Sequence, residues 1–156
     1  MKGNDKIIER LNFLLADELT AVNQYIVHSE MCANWGYDEL HKADEKRAVD
    51  EMKHAEKLIG RILFLEGQST VSKIHPMHIG NSVEDQLAHD HEAEAGAVAN
   101  YNAAIQKVSE LGDHGTRDLL TTILVEEEAH IDWLEAQKDQ IAQMGIQLYL
   151  SLQVKE

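Results

Sequence analysis

A single cysteine, Cys32, leaves the chain without an internal disulfide and without the several thiolates that a cysteine-based zinc or iron–sulfur site needs. Cys32 itself reads as a buried or half-buried thiol. Proline is nearly absent, with Pro76 the only one, and aromatic residues make up 5%. That poverty suits long, uninterrupted helices better than a sheet. Positive charge is scarce: 14 Lys and Arg stand against 28 Asp and Glu, for a net charge of −14. Such a balance argues against a nucleic-acid partner, which wants a basic patch, and sets up a field that attracts cations. No apolar run is long enough to span a membrane. No signal segment is apparent, because Met1-Lys2-Gly3-Asn4-Asp5 leads straight into an amphipathic stretch. The expected setting is the cytoplasm.

What is present is helical periodicity. The 156 residues are 44% hydrophobic and 27% charged, enough for one domain with a real core. Apolar residues at steps of three and four predict four long helices, at about 5–34, 38–66, 82–111 and 116–143. Asn4 or Asp5 would cap the first, and Gly36 would end it in a left-handed turn. Gly67 would end the second. Ser82 would open the third in a variant capping box, and Gly112 and Gly115 would frame the turn before the fourth. A helix of about 28 residues is roughly 42 Å long. The aperiodic segment 67–82 can span up to roughly 53 Å. It therefore serves as a crossover along the bundle, which makes helices two and three parallel. After Gly145, the apolar residues at 146–153 predict a short fifth helix. It is too short to stand alone and is expected to bury itself against neighbouring subunits. Helix two carries a second apolar stripe, Val49, Met52, Ile59 and Leu63, which suggests an interface beyond its own bundle.

Within these stripes lies an internal repeat. Glu51-Met52-Lys53-His54 and Glu127-Glu128-Ala129-His130 are both Glu-x-x-His, 76 residues apart. Glu18 precedes Glu51 by 33 residues, and Glu94 precedes Glu127 by the same 33. Residues i and i+3 share a helix face, so each Glu-x-x-His pair can reach one ion. All four glutamates fall on stripes otherwise fit for a core, where an unpaired charge is costly. Two divalent cations would balance four carboxylates. The donors are oxygen-rich, with one imidazole per ion and no thiolate, which suits iron or manganese, with zinc able to compete. By symmetry, Glu18, Glu51 and His54 form one half and Glu94, Glu127 and His130 the other, with Glu51 and Glu127 bridging.

This ligand pattern is that of ferritin-like di-iron and di-manganese carboxylate bundles. Over essentially its whole length the chain resembles a bacterioferritin. The resemblance is carried by Met1-Lys2-Gly3, Leu19-x-x-x-Asn23-Gln24-Tyr25, Asp50-Glu51-Met52-Lys53-His54-Ala55, the run Arg61 to Gly67, and the run Glu127 to Glu135. It implies an all-α, ferritin-like four-helix bundle with ferroxidase activity at a di-iron centre inside each subunit. It also implies a homo-oligomeric shell of 24 subunits, built of dimers, that stores ferric mineral with phosphate. Oxygen or hydrogen peroxide would be the oxidant, and a ferredoxin a possible reductant. A b-type haem between two subunits is implied as well, held by one methionine from each; the matching residue is Met52. Asn34, Glu66, Asp132 and Asp139 match residues that line a shell pore. The chain departs from the family at two places. Lys46 stands where many members carry a histidine that binds iron with Asp50 on the inner surface. Glu45 stands where an aromatic often lines the haem pocket.

Other readings have identifiable tests. A rubrerythrin-like peroxidase needs four cysteines that this chain lacks. A DNA-protecting mini-ferritin places its ligands between subunits and lacks a fifth helix. A haem-binding oxidase, peroxidase or structural shell with little iron storage would retain few irons after oxidation. The remaining histidines, His28, His41, His75, His78, His89, His91 and His114, read as surface or hydrogen-bonded residues.

Overall fold

The computed structural model describes residues 1–155. The chain forms α1 (Asp5–Trp35), α2 (Asp38–Phe64), α3 (Val83–Glu110), α4 (His114–Met144) and α5 (Ile146–Ser151). Side-chain caps set three starts: Asn4 accepts from the Lys6 amide, Ser82 from that of Asp85, and Asp113 from that of Thr116. Gly36, at φ 82° and ψ 14°, closes α1 in the left-handed conformation expected of it. Two expected boundaries move. Helix α2 stops at Phe64, before Gly67, because Glu66 itself takes the positive φ of 60° and the Gly67 amide bonds back to Ile62. Helix α4 starts at His114 because Asp113 caps it, so Gly115 lies inside its first turn and not in the preceding loop.

Side-chain pairs fix the topology. Along α1, Asp17 meets Asn100, Tyr25 meets Glu94, and Gln24 and His28 meet Asp90, so α1 and α3 run antiparallel. The tight Gly36-Tyr37 turn makes α1 and α2 antiparallel too, which leaves α2 and α3 parallel as the crossover requires. The crossover runs the length of α1. Gln68 and Thr70 bond Asn12, His75 bonds Thr20, the His78 amide bonds Gln24, and the Gly80 amide donates to His28 Nε2. At Gly80 a Cβ would stand 2.3 Å from the Gln86 backbone nitrogen, so the crossover can rejoin α3 this closely only without a side chain.

Two apolar clusters occupy the ends of the bundle. One contains Leu11, Leu14, Leu58, Ile62, Leu120 and Ile123; the other contains Cys32, Leu40, Val83, Leu87, Leu134 and Tyr149. Between them the core turns polar, with Glu18, Gln24, His28, Glu51, His54, Asp90, Glu94, Glu127 and His130 all buried. Helix α5 docks on its own bundle: Tyr149 is fully buried and donates to Gln137 at 2.8 Å. A phenol with a polar partner can be held in this way within the subunit, which anchors α5 on one face. Leu148 and Leu152 remain exposed. On the second stripe of α2, Val49, Met52 and Leu63 are exposed, whereas Ile59 packs on the first cluster. No described helix is long and apolar enough to cross a membrane.

Candidate metal centre

The six residues singled out by the repeat converge. Glu18 comes from α1, Glu51 and His54 from α2, Glu94 from α3, Glu127 and His130 from α4, and none is more than 6% exposed. They form two overlapping groups. Donor atoms of Glu18, Glu51, His54 and Glu127 lie within 4.8 Å of one another, and so do those of Glu51, Glu94, Glu127 and His130. Glu51 and Glu127 belong to both. His54 Nδ1 is 2.9 Å from Glu127, 3.4 Å from Glu51 and 3.5 Å from Glu18. His130 Nδ1 is 3.0 Å from Glu51, 3.3 Å from Glu127 and 3.4 Å from Glu94.

These close approaches lack hydrogen-bond geometry. Glu18 Oε2, Glu51 Oε1, both Glu127 oxygens and both Nδ1 atoms are buried without a hydrogen-bond partner. Buried polar atoms are otherwise almost always paired. Six orphaned donor atoms pointing into one space between oxygen and imidazole ligands fit a pair of cations, each taking carboxylate oxygens and one nitrogen.

A layer of partners aims the ligands, a role that the sequence alone does not assign to any of them. Tyr25 O–H donates to Glu94 at 2.6 Å, and Tyr101 O–H donates to Glu18. His54 Nε2 meets Glu126 at 2.6 Å, while His130 Nε2 faces Asp50 at 3.8 Å. Such contacts fix ring orientation and the nitrogen that faces the metal. The signal was present in the repeat, because Tyr25 and Tyr101, and likewise Asp50 and Glu126, are each 76 residues apart.

Protonation follows from crowding. Burial and the neighbouring Glu51 push Glu18 well above the carboxylate range. Burial carries Glu94 up to about 7. For Glu51 and Glu127 burial also works upward, but contacts with the histidines and the other glutamates win and leave both below their ordinary value. Burial disfavours both imidazolium ions, yet Glu127, Glu18 and Glu51 raise His54, and Glu127, Glu51 and Glu94 carry His130 to about 10. In the metal-free protein, protons thus perform part of the charge balancing that cations would perform.

The centre communicates with the exterior. A cavity of about 280 Å³ lies between α1, α3 and the crossover. Buried Glu18, Glu51 and Glu94 form its floor; His75, His78, His89 and Glu92 line it further out. The remaining singled-out residues sit elsewhere. Met52, 43% exposed, borders a separate groove with Val22, Ile26, Ser29, Glu45 and Val49. Lys46 pairs with Asp50 at 3.1 Å. Asn34, Glu66, Asp132 and Asp139 are exposed. His28, read only as surface or hydrogen-bonded, is fully buried between Asp90 and the Gly80 amide. Glu30, His41 and Glu45 also gather, but the two carboxylates are exposed to solvent.

Residues 8–144 match the family model described as a ferritin-like domain. A bacterioferritin of Brucella melitensis biotype 1 is 42% identical over 149 residues, covering 96% of this chain and 92% of that protein. A bacterial ferritin of Synechocystis is 38% identical and covers 99% of both chains. A bacterioferritin of Rhodobacter capsulatus is 37% identical over 94% of this chain and 91% of its own length.

Proposed function

The chain belongs to the bacterioferritins of the ferritin-like family, and from that premise we propose that it stores iron by oxidising iron(II) at the buried six-residue centre. The observation that carries this reading is the pair of overlapping donor groups joined through Glu51 and Glu127, with their orphaned atoms. Glu51 and Glu127 bridge two substrate ions. Glu18 with His54 completes one half, and Glu94 with His130 the other. Iron(II) bound there gives up electrons to oxygen or peroxide. The protein's part is positional. Tyr101 and Tyr25 hold the outer carboxylates, and Glu126 holds the His54 ring so that Nδ1 faces inward. Incoming cations displace protons that the crowded carboxylates and imidazoles otherwise keep.

The ferric product is stored as mineral with phosphate inside a homo-oligomeric shell of 24 subunits. The exposed apolar face with Val49, Met52 and Leu63 supports burial of α2 against a second copy. Met52 of two such subunits would hold a b-type haem, in keeping with the groove that Met52 borders; the haem would supply a route for electrons, with a ferredoxin as donor. Retention tests storage. After aerobic loading and gel filtration, iron should elute with the shell far in excess of what its di-iron centres can hold. Iron limited to those centres would instead favour an oxidase, a peroxidase or a haem-binding shell.

A further inference from the structure

The chain has nine histidines. Two belong to the buried centre. Of the other seven, His28, His41, His75, His91 and His114 each have a hydrogen-bond partner. His78 and His89 have none for their rings among the described residues. Both line the cavity that leads to the centre, and their ring centres are 5.6 Å apart with a 32° tilt. His78 belongs to the crossover and His89 to α3. Glu92, one turn beyond His89 on the same helix, lines the same cavity.

We infer that His78 and His89 form an outer binding site for a divalent transition-metal cation at the mouth of this cavity, with Glu92, whose carboxylate does not close on both rings in this structure, swinging in as a third ligand. At metal–nitrogen lengths of about 2.0–2.1 Å, one tetrahedral ion holds two imidazole ring centres roughly 5–6 Å apart. Two imidazole nitrogens, joined by a carboxylate oxygen once Glu92 swings in, select borderline cations such as iron(II), zinc and cobalt over magnesium or calcium. The acidic surface enriches cations outside, and the open ligand set leaves the ion free to move on. The α3 wall of the same cavity is lined by Ala93, Gly96 and Ala97. A Cβ at Gly96 would meet nothing within 4 Å, so no packing demand explains this glycine. A long side chain there would reach into the cavity that Gly96 lines. The delivery role rests on the metal-centre reading; the binding itself does not.

The test is zinc titration of the metal-free assembled protein by calorimetry, with His78→Ala/His89→Ala and Glu51→Gln/Glu127→Gln beside it. The histidine variant should fold normally, lose one zinc per subunit and fill the inner centre at least severalfold more slowly. Gly96→Leu should keep the outer zinc and slow filling in the same way. The glutamate variant should lose the inner zinc ions and keep the outer one. If the histidine variant binds as many zinc ions as the parent, the outer site is wrong. If the parent never fills the inner centre while the histidine-dependent zinc persists, the metal-centre reading fails and the outer site stands.

Discussion

The half-centre built by α1 and α2 and the half built by α3 and α4 carry matching residues at matching spacing, yet they hold their histidines differently. His54 is fully buried and its outer nitrogen is clamped by Glu126 at 2.6 Å, with Lys57 steadying that carboxylate at 3.4 Å. His130 is 6% exposed, and its counterpart contact to Asp50 is 3.8 Å long, because Asp50 turns to Lys46 at 3.1 Å. A repeated ligand set therefore does not give equivalent half-sites. The difference lies in the layer behind the ligands, where one acid is committed to the imidazole and the other is shared with a lysine. The His54 ring has a committed partner behind it, whereas the His130 ring has only a long contact.

Removing a shared ligand and an unshared one should separate the two halves most sharply. Glu127→Ala should cost both half-sites, with zinc affinity falling more than about 100-fold as an orphaned charge cluster is left behind. Glu18→Ala should spare the His130 half and leave one ion per subunit by calorimetry. Equal losses in the two variants would contradict the bridging arrangement. Next in size is the outer layer. Glu126→Ala should weaken metal binding about 10–100-fold, the usual effect of losing a partner behind a ligating histidine. Asp50→Ala should cost clearly less, and a reversal of that order would remove the distinction between the halves.

Acidity supplies a third test. His130 titrates near 10 in the folded metal-free protein against an ordinary 6.5, so its stabilising contribution is complete below 6.5 and is lost as pH climbs through about 10. Glu94, raised to about 7 from 4.5, acts in the same direction at lower pH. His54 is raised too. The Tm of the metal-free protein should fall by at least about 5 °C between pH 6.5 and 10. The zinc-loaded protein should fall less, since cations there replace the protons. Differential scanning calorimetry at several pH values checks this, and parallel losses would contradict it. The smallest effect is expected from Lys46→Met. Lys46 is mostly exposed, so its ion pair contributes little to stability. Freeing Asp50 to orient His130 should tighten the His130 half only a few-fold.

Much of this was legible beforehand because helices write their faces into sequence at a period of 3.6. The stripes through Leu11, Glu18 and Tyr25, or Leu58, Glu51 and Ile62, require no tertiary knowledge. The crossover followed from length alone. What escaped was set by contacts between helices. Tyr101 reads as an ordinary core aromatic until α1 places Glu18 beneath its hydroxyl. Glu126 sits in a run of three glutamates, and only the approach of α2 separates it from the solvated Glu128. His28 is polar on a helix face whose burial depends on the crossover delivering the Gly80 amide. Helix α2 ends short of Gly67 because Glu66, not the glycine, adopts the left-handed turn, and no residue type announces that. The contact of Tyr149 with Gln137 is hidden as well, because an apolar tail does not reveal a polar partner within its own subunit.

The two halves are proposed to act as one dinuclear oxidation site. Its most direct test is aerobic titration of the metal-free protein with iron(II), following ferric absorbance, with Glu51→Ala as control. Fast oxidation should saturate at about two irons per subunit and vanish in the variant. A break at one iron, or an unchanged rate in Glu51→Ala, would contradict the account.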